Sequence, residues 1–208
     1  MNPESVTVLS YDATQSFGFP HWTKRPIKSM PNDAVHMVPW NCTNHGTCED
    51  VYLYDIKTKW KHGADYLCTN LYTILRRIKM KPEGATMTDT ERKQKKSRKL
   101  VLMADNVSEN KNNCVLQFCS ELVARGWYDE VEMLFGPVGH THNGNDAVHY
   151  IHNQIAGNHV SVTPAELFNN YKNAWLNVRK RPQPIIVDPM GLDDHVSNVC
   201  SPCWWLQK

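Results

Sequence analysis

Asp12, Asp105 and Asp146 are carboxylates of the kind that hold hard divalent cations, and each stands at the edge of a patterned segment. Gathered at one place, three such groups repel one another unless cations lie between them. With cations, they suit a pair of Mg2+ or Mn2+ ions about 3.5–4 Å apart, one activating an attacking water or hydroxyl, the other stabilising a leaving oxygen. Each acid also has an ordinary reading. Asp146 can cap a helix, Asp105-Asn106 can turn the chain after a strand, and Asp12 can simply end one.

The densest polar cluster runs from Pro137 to Asp146 (PVGHTHNGND) and continues with His149 and His152. His140 and His142 point the same way in an extended segment, and His149 and His152 share a helical face with Asp146. Imidazole and carboxylate together suit a transition metal such as Zn2+ or Mn2+, or the histidines only orient backbone and carboxylates. A metallophosphoesterase needs an early Asp-x-His and a Gly-Asn-His before its Gly-His-Thr-His. Here Gly157-Asn158-His159 follows that motif and no Asp-x-His precedes it, so that class is excluded.

The elements that must position these groups are legible from periodicity. Ser5–Tyr11 is a short β-branched run that predicts a buried strand ending at Asp12. Val35–Cys42 and Cys48–Asp55 predict a hairpin around Asn44-His45-Gly46, with Pro39 placing the first of the two at an edge or a bulge. An apolar stripe from Ala64 to Ile78 predicts a helix, and a polar loop is expected over Lys79–Lys99. Leu100–Ala104 is the continuous apolar run of a central parallel strand, ending at Asp105-Asn106. A helix over Asn112–Arg125 closed by Gly126, a strand over Val131–Phe135 and a helix over Asp146–Ala156 follow. Thr163-Pro164-Ala165-Glu166 is a capping box that opens a last helix.

The resulting order, β-β-β-α-β-α-β-α, predicts an α/β ribonuclease-H-like mixed sheet with helices on both faces. In that topology the first and fourth strands are parallel neighbours, so Asp12 and Asp105 lie side by side and the helix of Asp146 packs over the same end. The expected organisation is a core over 1–160, a C-terminal helix packed on it over 161–181, and an irregular tail over 182–208.

In 208 residues, 41% apolar and 21% charged, there is enough for one sizeable core. No apolar run reaches the roughly 20 residues of a membrane helix, and Met1-Asn2-Pro3-Glu4 does not open a signal peptide. The expectation is therefore a nuclear or cytoplasmic protein without a membrane partner. Seven cysteines in that setting are expected to be reduced, buried or tail thiols. Cys200-x-x-Cys203, with Cys42, Cys48, His45 or His195, leaves a zinc site as a disfavoured alternative. The formal charge of +2 hides an asymmetry: Arg76–Lys99 holds ten Lys/Arg against three Asp/Glu, and the remainder is net acidic. The run Arg92–Lys99 fits a nuclear-localisation signal, a phosphate-contacting loop or merely a solvated one.

Four segments carry a family resemblance: Leu9–Asp12 with Phe19-Pro20-His21; Val51–Asp55 with Gly63-Ala64-Asp65; Ala104-Asp105-Asn106-x-x-Glu109-Asn110-Lys111-Asn112; and Phe135–His142-x3-Asp146. From about Ser5 to Trp175 the chain resembles a transposase- or integrase-like domain family of unknown function from eukaryotic mobile-element-derived proteins. The resemblance implies a ribonuclease-H-like nuclease whose three carboxylates are Asp12, Asp105 and Asp146, with Asn106, Asn110, His140 and His142 in support. The third acid is Asp rather than Glu, and 40 residues separate it from Asp105. Because Asp12 comes so early, the DNA-binding region that precedes such a core is expected to be absent from this chain.

The expectation is thus a transposon-derived, Mg2+- or Mn2+-dependent (two-ion) phosphodiester nuclease or strand-transfer domain acting on DNA. Lys24, Arg25 and Lys28 are its expected nucleic-acid contacts, and a homo-oligomer is allowed. The alternatives are a catalytically inactive interaction module of the same fold and a zinc-stabilised module. The basic segment precedes the fourth strand, at the end away from Asp105, which argues against its being the catalytic DNA clamp.

Overall fold

The computed structural model describes residues 6–13, 17–19, 35–47, 49–56, 63–80, 86–108, 110–136, 149–150, 154, 158–163, 166–167, 169–170, 173 and 185–187. In chain order the elements are β1 (Val6–Ala13), β2 (Phe17–Phe19), β3 (Val35–Asn44), β4 (Glu49–Ile56), α1 (Ala64–Lys79), α2 (Asp89–Lys95), β5 (Lys99–Ala104), α3 (Asn113–Ala124), β6 (Glu130–Phe135) and β7 (Ile185–Val187). The seven strands form one mixed sheet in the order β6-β5-β1-β3-β4-β7, with β2 paired to β3. β1 runs antiparallel to β3 and parallel to β5; β3 and β4 are antiparallel; β5 and β6, and β4 and β7, are parallel. The α/β class and the mixed sheet agree with the sequence pattern.

Alternation along the strands separates two faces. Leu9, Tyr11, Trp40, Cys42, Leu100, Leu102 and Ala104 point to one face, where Leu67, Leu71, Ile74 and Leu75 of α1 and Val115, Phe118 and Leu122 of α3 cover them. These helices exist because their apolar residues recur every three to four positions, one wet stripe remaining outward. The Tyr11 and Trp40 rings stack at 5.5 Å in this core. Leu71 is fully buried, so truncating it to Ala would cost about 2–5 kcal/mol. The opposite face carries Ser10, Asp12 and Asn41, and the helical pair His149-Tyr150 approaches it through His149.

Four expectations need correction. Pro39 does not mark an edge: β3 lies between β1 and β4. Proline is tolerated because the β1 ladder ends at Trp40 and the β2 ladder starts at Met37, so Pro39 faces a gap between them on that flank. Lys79–Lys99 is not all loop, since Asp89–Lys95 is helical, opened by a capping box in which Thr88 Oγ1 accepts from Glu91 N and Glu91 Oε2 accepts from Thr88 N. β2 arises between Asp12 and Val35, where the sequence pattern predicts no element, and β7 within the expected 182–208 tail. Of the last helix, Glu166, Leu167, Asn169, Asn170 and Asn173 are described as helical, with the Thr163–Glu166 box formed. No helix among the described residues is long and apolar enough to cross a membrane.

Candidate functional site

Asp12 is the penultimate residue of β1, half-buried, and its Oδ1 accepts from Ala13 N at 2.7 Å. Asp105 is the first residue past β5. The parallel ladder runs to Ser10↔Met103, so Asp12 and Asp105 both lie just beyond it, at the same C-terminal end of two adjacent strands about 4.8 Å apart. The juxtaposition is a property of the fold, because both strands point their C-terminal ends the same way.

The segment after Asp105 is tied down locally. Asn110, buried, donates from Nδ2 to the Asp105 carbonyl at 2.9 Å, and its own N–H reaches Val107 O at 3.1 Å. Lys111 Nζ donates to Asn106 Oδ1 and lies 4.7 Å from the centre of the Phe135 ring. Asn112 caps α3, its Oδ1 accepting from Val115 N at 3.0 Å. Asn110 thus ties the backbone of Asp105 to the turn that leads into α3, and Asn106 is held by Lys111. Lys111, a cation at that same end, is absent from the sequence-derived set.

Two more groups join Asp12. His149 Nδ1 lies 3.8 Å from Asp12 Oδ2, with the imidazole almost fully enclosed. Asn41 is the cross-strand partner of Asp12 on β3 and therefore shares its face. Its exposure is 0%, and neither Nδ2 nor Oδ1 has a hydrogen-bond partner among the described residues. A buried amide in that state costs roughly 1–3 kcal/mol. The sequence signal for His149 is its helical spacing from Asp146; for Asn41 it is a lone amide inside an apolar strand.

Asp146, His140, His142, Lys24, Arg25 and Lys28 lie outside the described residues, as do Cys48, His195, Cys200 and Cys203. No group of three His, Cys, Asp or Glu side chains among the described residues is arranged to hold a metal ion. Cys42 faces the core, whereas His45 Nε2 is 2.9 Å from Ser10 Oγ on the other face, so these two do not share a zinc site. Burial raises the Cys68 thiol and pushes Cys119 up to about 11, which keeps both protonated at neutral pH.

The basic segment is placed at the far end of the sheet, where β5 begins. Arg98 forms a two-point ion pair with Asp129, and Lys99 Nζ lies 2.9 Å from both Glu130 and Glu132. Lys79, at the end of α1, donates to Lys95 O at 3.3 Å and Ser97 O at 2.5 Å and lies 4.0 Å over the Tyr128 ring. Burial, and then the nearby Arg98 charge, lower Lys79 to about 8.

No curated protein matches the chain. Among solved structures, the chain is similar to a crystal structure of a pre-cleavage Mos1 transpososome, at a TM-score of 0.36 and 10% identity, over 99% of this chain and 49% of that one. The chain thus spans about half the length of that solved relative. A family profile described as Domain of unknown function (DUF7869) matches residues 34–187, most of the sequence, and the chain belongs to that family.

Proposed function

We propose that the chain is a ribonuclease-H-like, metal-dependent phosphodiester nuclease or strand-transfer domain of mobile-element origin, acting on DNA. The observation that carries this reading is the placement of Asp12 and Asp105 at the C-terminal ends of adjacent parallel strands. The strand order β6-β5-β1-β3-β4, with only its β1-β3-β4 half antiparallel, supports the ribonuclease-H-like assignment.

The donor chemistry at that end fits a hard divalent cation: two carboxylates at the ends of adjacent parallel strands, with the unsatisfied Asn41 amide opposite Asp12. Asp12, Asp105 and Asp146 would hold Mg2+ or Mn2+. The bound ions would supply charge neutralisation of the phosphodiester and acidify an attacking water or hydroxyl. The chain's own groups do the rest. His149 packs against Asp12 and limits the rotamers of its carboxylate, Asn110 fixes the backbone of Asp105, and Lys111 places a positive charge where a phosphate would enter.

Calorimetric titration of Mn2+ into wild type and Asp105→Asn, paired with nicking of supercoiled plasmid, tests the proposal. Loss of both metal heat and nicking in the variant is expected. An unchanged metal isotherm in Asp105→Asn, or nicking that persists in it, would overturn the assignment.

A further inference from the structure

The basic segment is not absorbed by the site at the Asp105 end, and its architecture differs from that of a solvated tail. α1 ends in Arg76 and Arg77, both exposed, and α2 presents Arg92, Lys93 and Lys95 with Lys96 at its C-cap. Only Asp89 and Glu91 of α2 oppose them, both in its first turn. The two helix ends are bolted together: Lys79, within one turn of Arg76, donates to the carbonyls of Lys95 and Ser97.

α2 is also locked to the sheet. Gln94, 4% exposed, exchanges two hydrogen bonds with Asn44 of β3: Nε2 to Asn44 Oδ1 at 2.6 Å, and Asn44 Nδ2 to Gln94 Oε1 at 3.1 Å. A Cβ at Gly46 would come within 2.2 Å of Gln94 Nε2, so the turn after β3 is shaped around this amide. The adjoining Arg98 and Lys99 are ion-paired with Asp129, Glu130 and Glu132 and sit beside a surface on which Arg76, Arg77, Lys93 and Lys96 are exposed, as is Arg92, 3.9 Å from Asp89.

We infer that the α1 end and α2 form a second, rigid cationic surface that binds the phosphate backbone of double-stranded nucleic acid. It lies at the opposite end of the sheet from Asp12 and does not depend on the metal reading. A backbone already ordered as two packed helix ends meets repeating phosphates with no folding cost, and contacts of this kind carry no sequence selectivity. A carrier protein that reads an extended basic peptide fits less well. It would have to unwind α2, separating Gln94 from Asn44 and leaving the buried Asn44 Nδ2 without this acceptor.

The test is equilibrium binding of the full chain to a short fluorescent DNA duplex of arbitrary sequence, in chelator, across a salt series. Wild type should bind with a steep salt dependence. Arg92→Gln/Lys93→Gln/Lys96→Gln should weaken binding at least about tenfold and flatten the slope of log affinity against log salt by about 2–3, at roughly 0.9 per phosphate contact. Arg76→Gln/Arg77→Gln should shift both in the same direction. The inference is overturned by a triple variant with wild-type affinity and slope, or by weaker binding at unaltered slope. Loss of nuclear accumulation in cells with duplex binding intact would assign the segment to a carrier protein instead, and would equally overturn it.

Discussion

His149 Nδ1 stands 3.8 Å from Asp12 Oδ2, so a residue of the chain's second half closes over the end of its first strand. The contact joins sequence positions that share nothing but the topology of the sheet. In the reading advanced above, the imidazole holds the carboxylate in the orientation that a cation would use. His149→Gln should therefore keep the fold and lower Mn2+ affinity roughly tenfold, the scale on which groups supporting metal ligands act. Titration of Mn2+ by calorimetry, with circular dichroism as the fold control, reads this. Unaltered affinity would remove His149 from the site.

Asn41 predicts an exchange of stability for binding. Its amide is buried without partners, and leucine has nearly its shape. Asn41→Leu should raise the unfolding free energy by about 1–2 kcal/mol, because no polar group remains to be left dry. The same variant should bind Mn2+ more weakly than wild type. Chemical denaturation and metal titration on one preparation decide the matter; a destabilised variant would mean that the amide already serves the fold.

The Gln94–Asn44 pair makes a purely structural prediction. Gln94→Leu leaves the Asn44 side chain buried with one partner fewer and should cost about 1–3 kcal/mol in urea unfolding. Gly46→Ala should also destabilise, since its Cβ meets Gln94 Nε2. The two effects should be less than additive when combined, because both act on one amide.

Alkaline pH should weaken the fold, for a reason visible in the core. Burial pushes the Cys119 thiol up to about 11 from its ordinary 9.0, and raises Cys68 in the same direction. Between pH 9 and 11 the unfolded chain releases protons that the folded chain keeps, so stability falls as pH rises. Lys79 acts oppositely: its folded value of about 8 lies below the ordinary 10.5, so its contribution rises with pH across that interval. Urea midpoints at pH 8, 9 and 10 should decline less in Cys119→Ala and more in Lys79→Met than in wild type. Three parallel lines would contradict this account.

Much of the sheet is legible without coordinates because β1, β3, β4, β5 and β6 carry continuous or alternating apolar runs bounded by turn residues. β2 and β7 are not, since three residues at the margin of a sheet are too few to show a period. α2 hides in a charge-rich stretch; Gln94 is its only buried side chain, so no apolar stripe betrays it and the Thr88-x-x-Glu91 box is its one signal. At the site, Asp12 and Asp105 stand out as acids closing apolar strands. Asn41 does not, because an amide within a strand reads locally as a turn former and its meaning comes only from the Asp12 register.

Diffraction from Mn2+-soaked crystals, recorded at the manganese edge, tests the central claim most directly. The account predicts anomalous density within coordination distance of the Asp12, Asp105 and Asp146 carboxylates, lost in Asp105→Asn. Density confined to other parts of the chain, or an Asp146 carboxylate found on a different side of the sheet, would contradict it.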